Sequence, residues 1–341
     1  MRILFIDIDY HRKTRSADFF LEILRTAFDV DTHYYFDCYS PKIPRDKIAR
    51  ADVVVVWQDI LGRRDFVIPG KPCVLVPMYD SDWGSRAMWR RIARSGTHVI
   101  SFSEAISLRA KRAQIPPERL LDIRFAFDPD LFKDAEGNPR VAALWERGPF
   151  GVDTIKRLFQ PRLMKKITLF RRPQPGLAYE PIAEDDKRDY GIEVDDRPFI
   201  PKDEYLALAK QHGVYIAPRP REGIGMSFLE QIAMGKCVIA HDDNTMNEYI
   251  VNGGNGILRN LLGDFAPVTI DEIDAARKGV KESARKAYSR WLSDKKKIVP
   301  FINSAAMRSP VKIGGVIDLS LRLLYILEAA LSRFRSFCLN L

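Results

Sequence analysis

At 341 residues the chain exceeds one average domain and suits two of roughly 150 residues each. A 46% hydrophobic and a 29% charged fraction exclude bulk disorder and leave both halves enough apolar residues for a core. Lys+Arg 54 against Asp+Glu 45, a net charge of +9, favours anionic partners such as phosphates, anionic lipid head groups or nucleic acid, without choosing among them.

The opening MRILFIDIDYHRK has no basic region before its apolar run and no small-residue cleavage site after it. It is expected to be a first strand, Ile3–Ile8, rather than a signal peptide. DIDYHRKTRS, which begins within that strand at Asp7, reads as a basic loop, and Ser16–Phe28 as a helix, with Phe19, Phe20, Ile23, Leu24 and Ala27 at helical spacing. Val53–Trp57, Cys73–Pro77 and Val99–Phe102 are β-branched or aromatic-rich strands. A further strand is expected at Ile123–Phe127, stopped by the turn Asp128-Pro129-Asp130-Leu131-Phe132. Such apolar runs separated by helices predict a parallel α/β sheet.

The polar stretch KDAEGNPR, Lys133–Arg140, reads as a linker. A second α/β series follows at Val141–Trp145, Ile167–Phe170, Phe199–Ile200, Val214–Ala217 and Val238–Ala240. Asp271–Lys297 is expected to be a long basic helix, in one piece or two. Val311–Leu341 is apolar around most of its circumference, with Arg322, Arg333 and Arg335 interspersed. Two readings stand for it: a terminal helix packed back on the first domain, or an interfacial helix whose arginines meet anionic head groups. No run of about 18 uninterrupted apolar residues occurs, so a spanning helix is not expected and the chain reads as soluble or peripheral. Cys38, Cys73, Cys237 and Cys338 lack paired or metal-ligand spacing and read as reduced thiols of a cytosolic protein.

Chemistry concentrates in Gly213–Leu258. A strand, a proline-stiffened loop and a turn with Gly223 and Gly225 lead into a helix from Met226 to Met234, with Gly235 as its stop. Phe228, Leu229, Ile232 and Ala233 form its core-facing stripe. The unpaired N–H groups of Met226, Ser227 and Phe228 form an anion site, to which the Ser227 hydroxyl adds a donor. Glu230, in the second turn, leans back toward that site, where a carboxylate suits the vicinal hydroxyls of a ribose. Glu222, ahead of the turn, addresses a second set of hydroxyls beyond the phosphates. The arrangement suits a nucleoside-diphosphate sugar.

Glu222-x7-Glu230, inside P-x3-E-G-x-G-x3-L-E-x2-A-x-G-x3-I-A and followed by Asn247-Glu248 and Gly253-x-Asn255-Gly256, resembles the C-terminal domain of retaining GT-B glycosyltransferases of family 4 (glycosyl transferases group 1). The resemblance is sharp over Val214–Leu258 and rests on strand order elsewhere. It implies two Rossmann-like α/β domains with parallel sheets facing a central cleft, plus a helical tail. The expected boundaries are 1–135 for an acceptor domain, 136–303 for a donor domain and 304–341 for the tail. By that resemblance Glu222 contacts donor-sugar hydroxyls, Glu230 the ribose, and backbone around Gly223 and Gly225–Phe228 the diphosphate. Arg147 is the nearest match to the family's arginine after the first strand of this domain, a solvated loop arginine being the other reading. The lysine usual after it is not evident, and Arg171 or Arg172 is the candidate substitute.

The first domain departs from the family: DIDYHRKTRS has no glycine, and its His11, Arg12, Lys13 and Arg15 either bind an anionic acceptor or form a solvated basic loop. Where the family has a histidine the chain has MYDSDWG, with Tyr79, Asp80 and Asp82; Asp80 is a candidate catalytic residue on the acceptor side, beside Glu222, or else a strand-end or cap residue. The implied reaction moves a sugar from a UDP- or GDP-linked donor to the hydroxyl of a saccharide or lipid-linked saccharide. It proceeds with retention, without an obligatory metal, in the cytoplasm or at the inner face of the membrane. Rival readings are a nucleotide-sugar epimerase on the same fold and a degenerate partner subunit. Nucleic-acid binding lacks a motif, and dinucleotide oxidoreduction lacks a GxGxxG after the first strand.

Overall fold

Short apolar runs buried on both faces need partners on both edges and helices above and below, and the chain supplies them twice. The computed structural model describes residues 1–36, 44–58, 70–80, 85–172, 179–198, 200–308, 320, 323–324 and 327. They divide into two compact units, Met1–Arg124 with Leu292–Leu341, and Phe125–Trp291.

In the first unit β1 (Arg2–Ile8), α1 (Asp9–Thr14), α2 (Asp18–Arg25), β2 (Asp29–Tyr35), α3 (Arg45–Arg50), β3 (Val53–Gln58), β4 (Cys73–Pro77), α4 (Arg86–Arg94), β5 (His98–Ser101), α5 (Glu104–Arg112) and β6 (Leu120–Asp122) follow one another. The six strands form a sheet of order β2-β1-β3-β4-β5-β6, and every pairing is parallel. On one face Phe5, Phe20, Trp57 and Phe102 pack ring against ring, with Phe20 and Trp57 centroids 5.0 Å apart. Leu4, Ile6, Val54, Val56, Ile92 and Ile106 fill the core of the other.

The second unit runs through β7 (Asn138–Trp145), α6 (Val152–Leu158), β8 (Lys166–Phe170), α7 (Glu184–Tyr190), β9 (Ile192–Asp195), α8 (Lys202–Ala209), β10 (His212–Ile216), α9 (Met226–Ala233), β11 (Cys237–His241) and β12 (Gly256–Arg259). Its sheet, also all parallel, has the order β12-β11-β10-β7-β8-β9. The long basic helix is a single piece, α10 (Ile270–Asp294). It passes through one 3-10 turn, Lys295–Lys297, into α11 (Ile298–Ala306), which packs on α2, β3 and β4 and so completes the first unit.

The structure departs from the sequence expectations at several places. The strand expected at Ile123–Phe127 lies earlier, at Leu120–Asp122; pairing with Val99–Ser101 uses up those residues. Ile123 adds one more bond to the Ser101 carbonyl, and the chain then leaves the sheet. Of the strand expected at Phe199–Ile200, Phe199 lies outside the described residues and Ile200 is not in a strand. The edge is formed by Ile192–Asp195 instead. DIDYHRKTRS is not a loop throughout, since Asp9–Thr14 form α1. The units part at Arg124/Phe125, ahead of the Lys133–Arg140 linker, and Asn138 already belongs to β7. Cys73 and Cys237 are buried free thiols; Cys38, Cys338 and nearly all of the Val311–Leu341 tail lie outside the described residues.

Two histidines are sealed into these sheets. Burial, helped by the Arg308 and Arg119 charges, lowers His98 from 6.5 to about 4. Burial, helped by Lys236 and Lys166, lowers His212 from 6.5 to about 3. Both are neutral in the folded chain, so below their unfolded value only the unfolded chain takes up the proton, and stability falls as pH falls. By pH 5 each histidine is expected to cost about 2 kcal/mol. Denaturant unfolding at pH 7 and pH 5 tests this: the midpoint falls at pH 5, and His98→Gln and His212→Gln each reduce the fall. A midpoint indifferent to pH over that range contradicts the assignment.

Candidate functional site

In the second sheet β7 is followed by β8 and β9 on one side, and the chain then returns to place β10 on the other. At such a switch point the loops leaving two adjacent strands diverge, and the crevice they leave beyond the strand ends is where open α/β sheets hold ligands. The loops here are Glu146–Gly151 after β7 and Ala217–Gly225 after β10.

The loop after β10 is held from below. The Thr245 hydroxyl reaches two successive carbonyls, those of Glu222 (2.7 Å) and Gly223 (2.9 Å), and Arg221 pairs with Asp243 at 3.0 Å. The chain then reverses into α9 through Gly225, whose φ of +79° is left-handed. A Cβ there would stand 1.8 Å from the Phe228 ring, so the position demands glycine on both counts. Phe228, fully buried, anchors the first turn edge-on against Tyr249 at 5.9 Å. No side chain caps α9, so the N–H groups of Met226, Ser227 and Phe228 are available to an anion.

Glu222 and Glu230 stand on either side of this turn, both half-buried. Beneath them lies Tyr215, buried on β10, with its phenol paired to the Ser227 hydroxyl. Its pKa is raised, foremost by burial and then by the charges of Glu222 and Glu230, while Arg147 acts in the opposite sense. The charges of the two glutamates and of Arg147 are thus all felt at one buried phenol, to which Ser227 is bonded. The Arg147 guanidinium lies 5.0 Å over the Trp145 ring, which orients it at the end of β7.

The other expected cations are engaged elsewhere. Arg171 is buried and bonds Glu146 through Nε at 2.5 Å and the Glu180 carbonyl through Nη1 at 2.8 Å. Arg172 bonds Asp195 at 3.1 Å. Both serve as braces of the loops after β7 and β9.

Sequence reasoning missed two residues of this site. Tyr215 reads as an ordinary strand residue. Lys236, directly after the α9 stop at Gly235, is fully buried with its Nζ on the Ala209 carbonyl. Burial lowers it from 10.5 to about 7, against the favourable charge of Glu230 and with the Arg277 charge. The one signal in the sequence was a lysine opening the otherwise apolar strand KCVIA.

In the first unit Asp80 sits half-buried in the turn after β4, beside Tyr79, over whose ring Arg109 lies at 5.2 Å. Asp82 lies outside the described residues. The basic stretch after β1 is not an open cluster: Arg12 pairs with Asp9 at 2.9 Å, Arg15 with Asp18 at 2.5 Å, and His11 turns inward onto Asp7 at 2.6 Å. Lys13 alone among the four keeps no partner other than solvent among the described residues. No three His, Cys, Asp or Glu gather as a metal site among the described residues.

Gly225→Ala is expected to cost about 2 kcal/mol or more, from the left-handed φ and the collision with Phe228. It should also unlatch the first turn of α9, seen as faster amide exchange at Ser227–Leu229. An unchanged unfolding midpoint with unchanged exchange contradicts this account of the turn.

Comparison with known proteins bears on the same stretch. Residues 181–260 match the family profile of Glycosyl transferases group 1. No curated protein sequence matches the chain. Among solved structures, Anabaena Alr3699/HepE in complex with UDP is similar at 15% identity and a TM-score of 0.57, covering 89% of this chain and 100% of that one. Sucrose-phosphate synthase from Thermosynechococcus elongatus is similar at 13% identity and a TM-score of 0.57, covering 89% and 98%. A glycosyltransferase from Rickettsia africae is similar at 12% identity and a TM-score of 0.56, covering 90% and 99%. The chain therefore has a GT-B-like α/β fold, and its second unit carries a segment of the glycosyl transferases group 1 type, which together support a glycosyltransferase.

Proposed function

We propose that the chain transfers a sugar from a nucleoside-diphosphate sugar to an acceptor hydroxyl with retention at the anomeric carbon, as the resemblance to family 4 implies. The observation that carries this reading is the uncapped α9 N-terminus at the switch point, flanked by Glu222 and Glu230. Glu230 takes the ribose hydroxyls and Glu222 the hydroxyls of the donor sugar. The N–H groups of Met226–Phe228 and the Arg147 guanidinium take the diphosphate. As the bond to the sugar breaks, negative charge grows on the departing diphosphate, and a helix N-terminus with a fixed arginine stabilises that charge without reorganising. UDP is the favoured donor nucleotide over GDP, because the similar Anabaena protein binds UDP.

The first unit is assigned the acceptor, with Asp80 on that side, and Arg171 supports the donor loop through Glu146. A lipid-linked saccharide of bacterial surface polysaccharide or glycolipid assembly is the acceptor class. This accords with the helical, exposed Leu323, Leu324 and Leu327 of the tail, which suit peripheral contact with an anionic membrane at its cytoplasmic face. No helix among the described residues is long and apolar enough to cross a membrane.

A thermal-shift screen against UDP, GDP, ADP and their sugar conjugates tests the donor site. One base is expected to raise the midpoint, by the equivalent of about 2.7 kcal/mol at a hundredfold excess over Kd. Glu230→Ala and Arg147→Ala should lose most of that rise. Glu222→Gln should keep nucleotide binding and lose turnover of the sugar nucleotide. A folded chain that responds to no nucleotide contradicts the reading.

A further inference from the structure

The carboxyl end of β7 holds a polar group that finds no partner in the chain. Ala142 and Leu144 of β7 belong, with Val214 and Ile216 of β10, to the core on one face of the second sheet. Alternation along the strand sends Trp145, the last residue of β7, to the other face, which is the face of Tyr215 and α9. It pairs in register with Phe170 of β8, and its side chain is half-buried. Its indole Nε1–H, however, is fully covered and has no hydrogen-bond partner among the described residues.

A buried N–H without an acceptor costs a folded chain more than a made hydrogen bond returns, so such groups are rare and ask for a reason. Packing gives none. A phenylalanine would also lie beside Phe170 and would still offer a ring face to the Arg147 guanidinium, 5.0 Å away. Position gives one. The N–H stands at the end of a strand that borders the switch point, beside Arg147 and on the face of the uncapped α9 N-terminus. An indole N–H can only donate, so it suits a group that only accepts, such as a phosphate oxygen. We propose that Trp145 is a further binding residue of the donor site, its Nε1–H being uncovered as the ligand enters and donating to an oxygen of the diphosphate that Arg147 neutralises. This rests on the reading of the chain as a glycosyltransferase and deepens it. One side chain then serves the diphosphate twice, its ring face orienting the cation and its ring edge adding a neutral donor. Charge grows on the diphosphate as the bond to the sugar breaks, so this hydrogen bond strengthens toward the transition state.

Proton NMR of the indole N–H groups follows this donor directly. The chain has five tryptophans, and Trp145→Phe identifies the signal that belongs here. Replacing Trp145 by benzothienylalanine keeps the fused ring and puts sulfur in place of the N–H. Binding is measured for UDP, GDP, inorganic pyrophosphate, uridine and guanosine. The Trp145 signal is expected to move downfield with pyrophosphate and with one of the two nucleotides, and to stay in place with the nucleosides. Affinity for that nucleotide and for pyrophosphate should fall about tenfold in Trp145→Phe and equally in the benzothienyl chain. A nucleotide whose binding needs Glu230, but which leaves the Trp145 signal unmoved or binds both altered chains as tightly as the wild type, overturns the proposal and leaves the donor reading standing. A folded chain that binds neither nucleotide overturns the donor reading and the proposal with it.

Discussion

The left-handed turn at Gly225 is the constraint on which the proposed donor site depends. A residue with a side chain would meet the Phe228 ring and would have to adopt φ of +79°. Because glycine accepts both, β10 can pass through a short loop straight into α9, with Glu222 before the reversal and Glu230 after it. The reversal also leaves the first turn of α9 without a side-chain cap, and an uncapped helix start is a place for an anion rather than a defect. Thr245 holds the loop from beneath by reaching the Glu222 and Gly223 carbonyls together.

Charge is arranged around this turn with little solvent to screen it. Tyr215 stays neutral under the two glutamates, because burial and both carboxylates oppose its ionisation. Lys236 lies buried just after α9, where the Glu230 charge favours its ammonium form against burial. Arg147 is oriented by Trp145, while Arg171 is spent on Glu146. The outcome is a negative pair of side chains beside a positive helix start and guanidinium, which in the proposed reading take the hydroxyl groups and the phosphates. That division of labour is what a nucleoside-diphosphate sugar asks of a protein. The first sheet also has a switch point, between β1 and β3, and a buried carboxylate–imidazole pair, Asp7 and His11, stands at the end of its first strand.

How much of this was legible in the sequence follows from how local each feature is. The α9 turn and its two glutamates lie within a few residues of one another, so spacing alone exposed them. The fully apolar strands, such as Val53–Trp57 and Val238–Ala240, were legible for the same reason. The strands that escaped, β2, β9 and β12, are at sheet edges, where burial is incomplete and DVDTHYY, IEVD or the short GILR does not stand out as a strand. The 3-residue β6 was misplaced onto the apolar Ile123–Phe127 because apolarity there serves the exit from the sheet rather than pairing. Tyr215 and Lys236 depend on partners brought in by the fold, and the inward turn of His11 onto Asp7, four positions earlier, depends on the bend from β1 into α1 that a linear reading of DIDYHRK does not show. Arg171 was read as a free cation because nothing in the sequence announces that Glu146, 25 positions earlier, faces it across adjacent strands.

A crystal structure of the chain soaked with UDP tests the central claim most directly. The account predicts the ribose hydroxyls against the Glu230 carboxylate and the diphosphate over the N–H groups of Met226–Phe228, with Arg147 beside it. UDP seated elsewhere in an otherwise intact chain, at the end of β1 for example, with the α9 N-terminus empty, would contradict it.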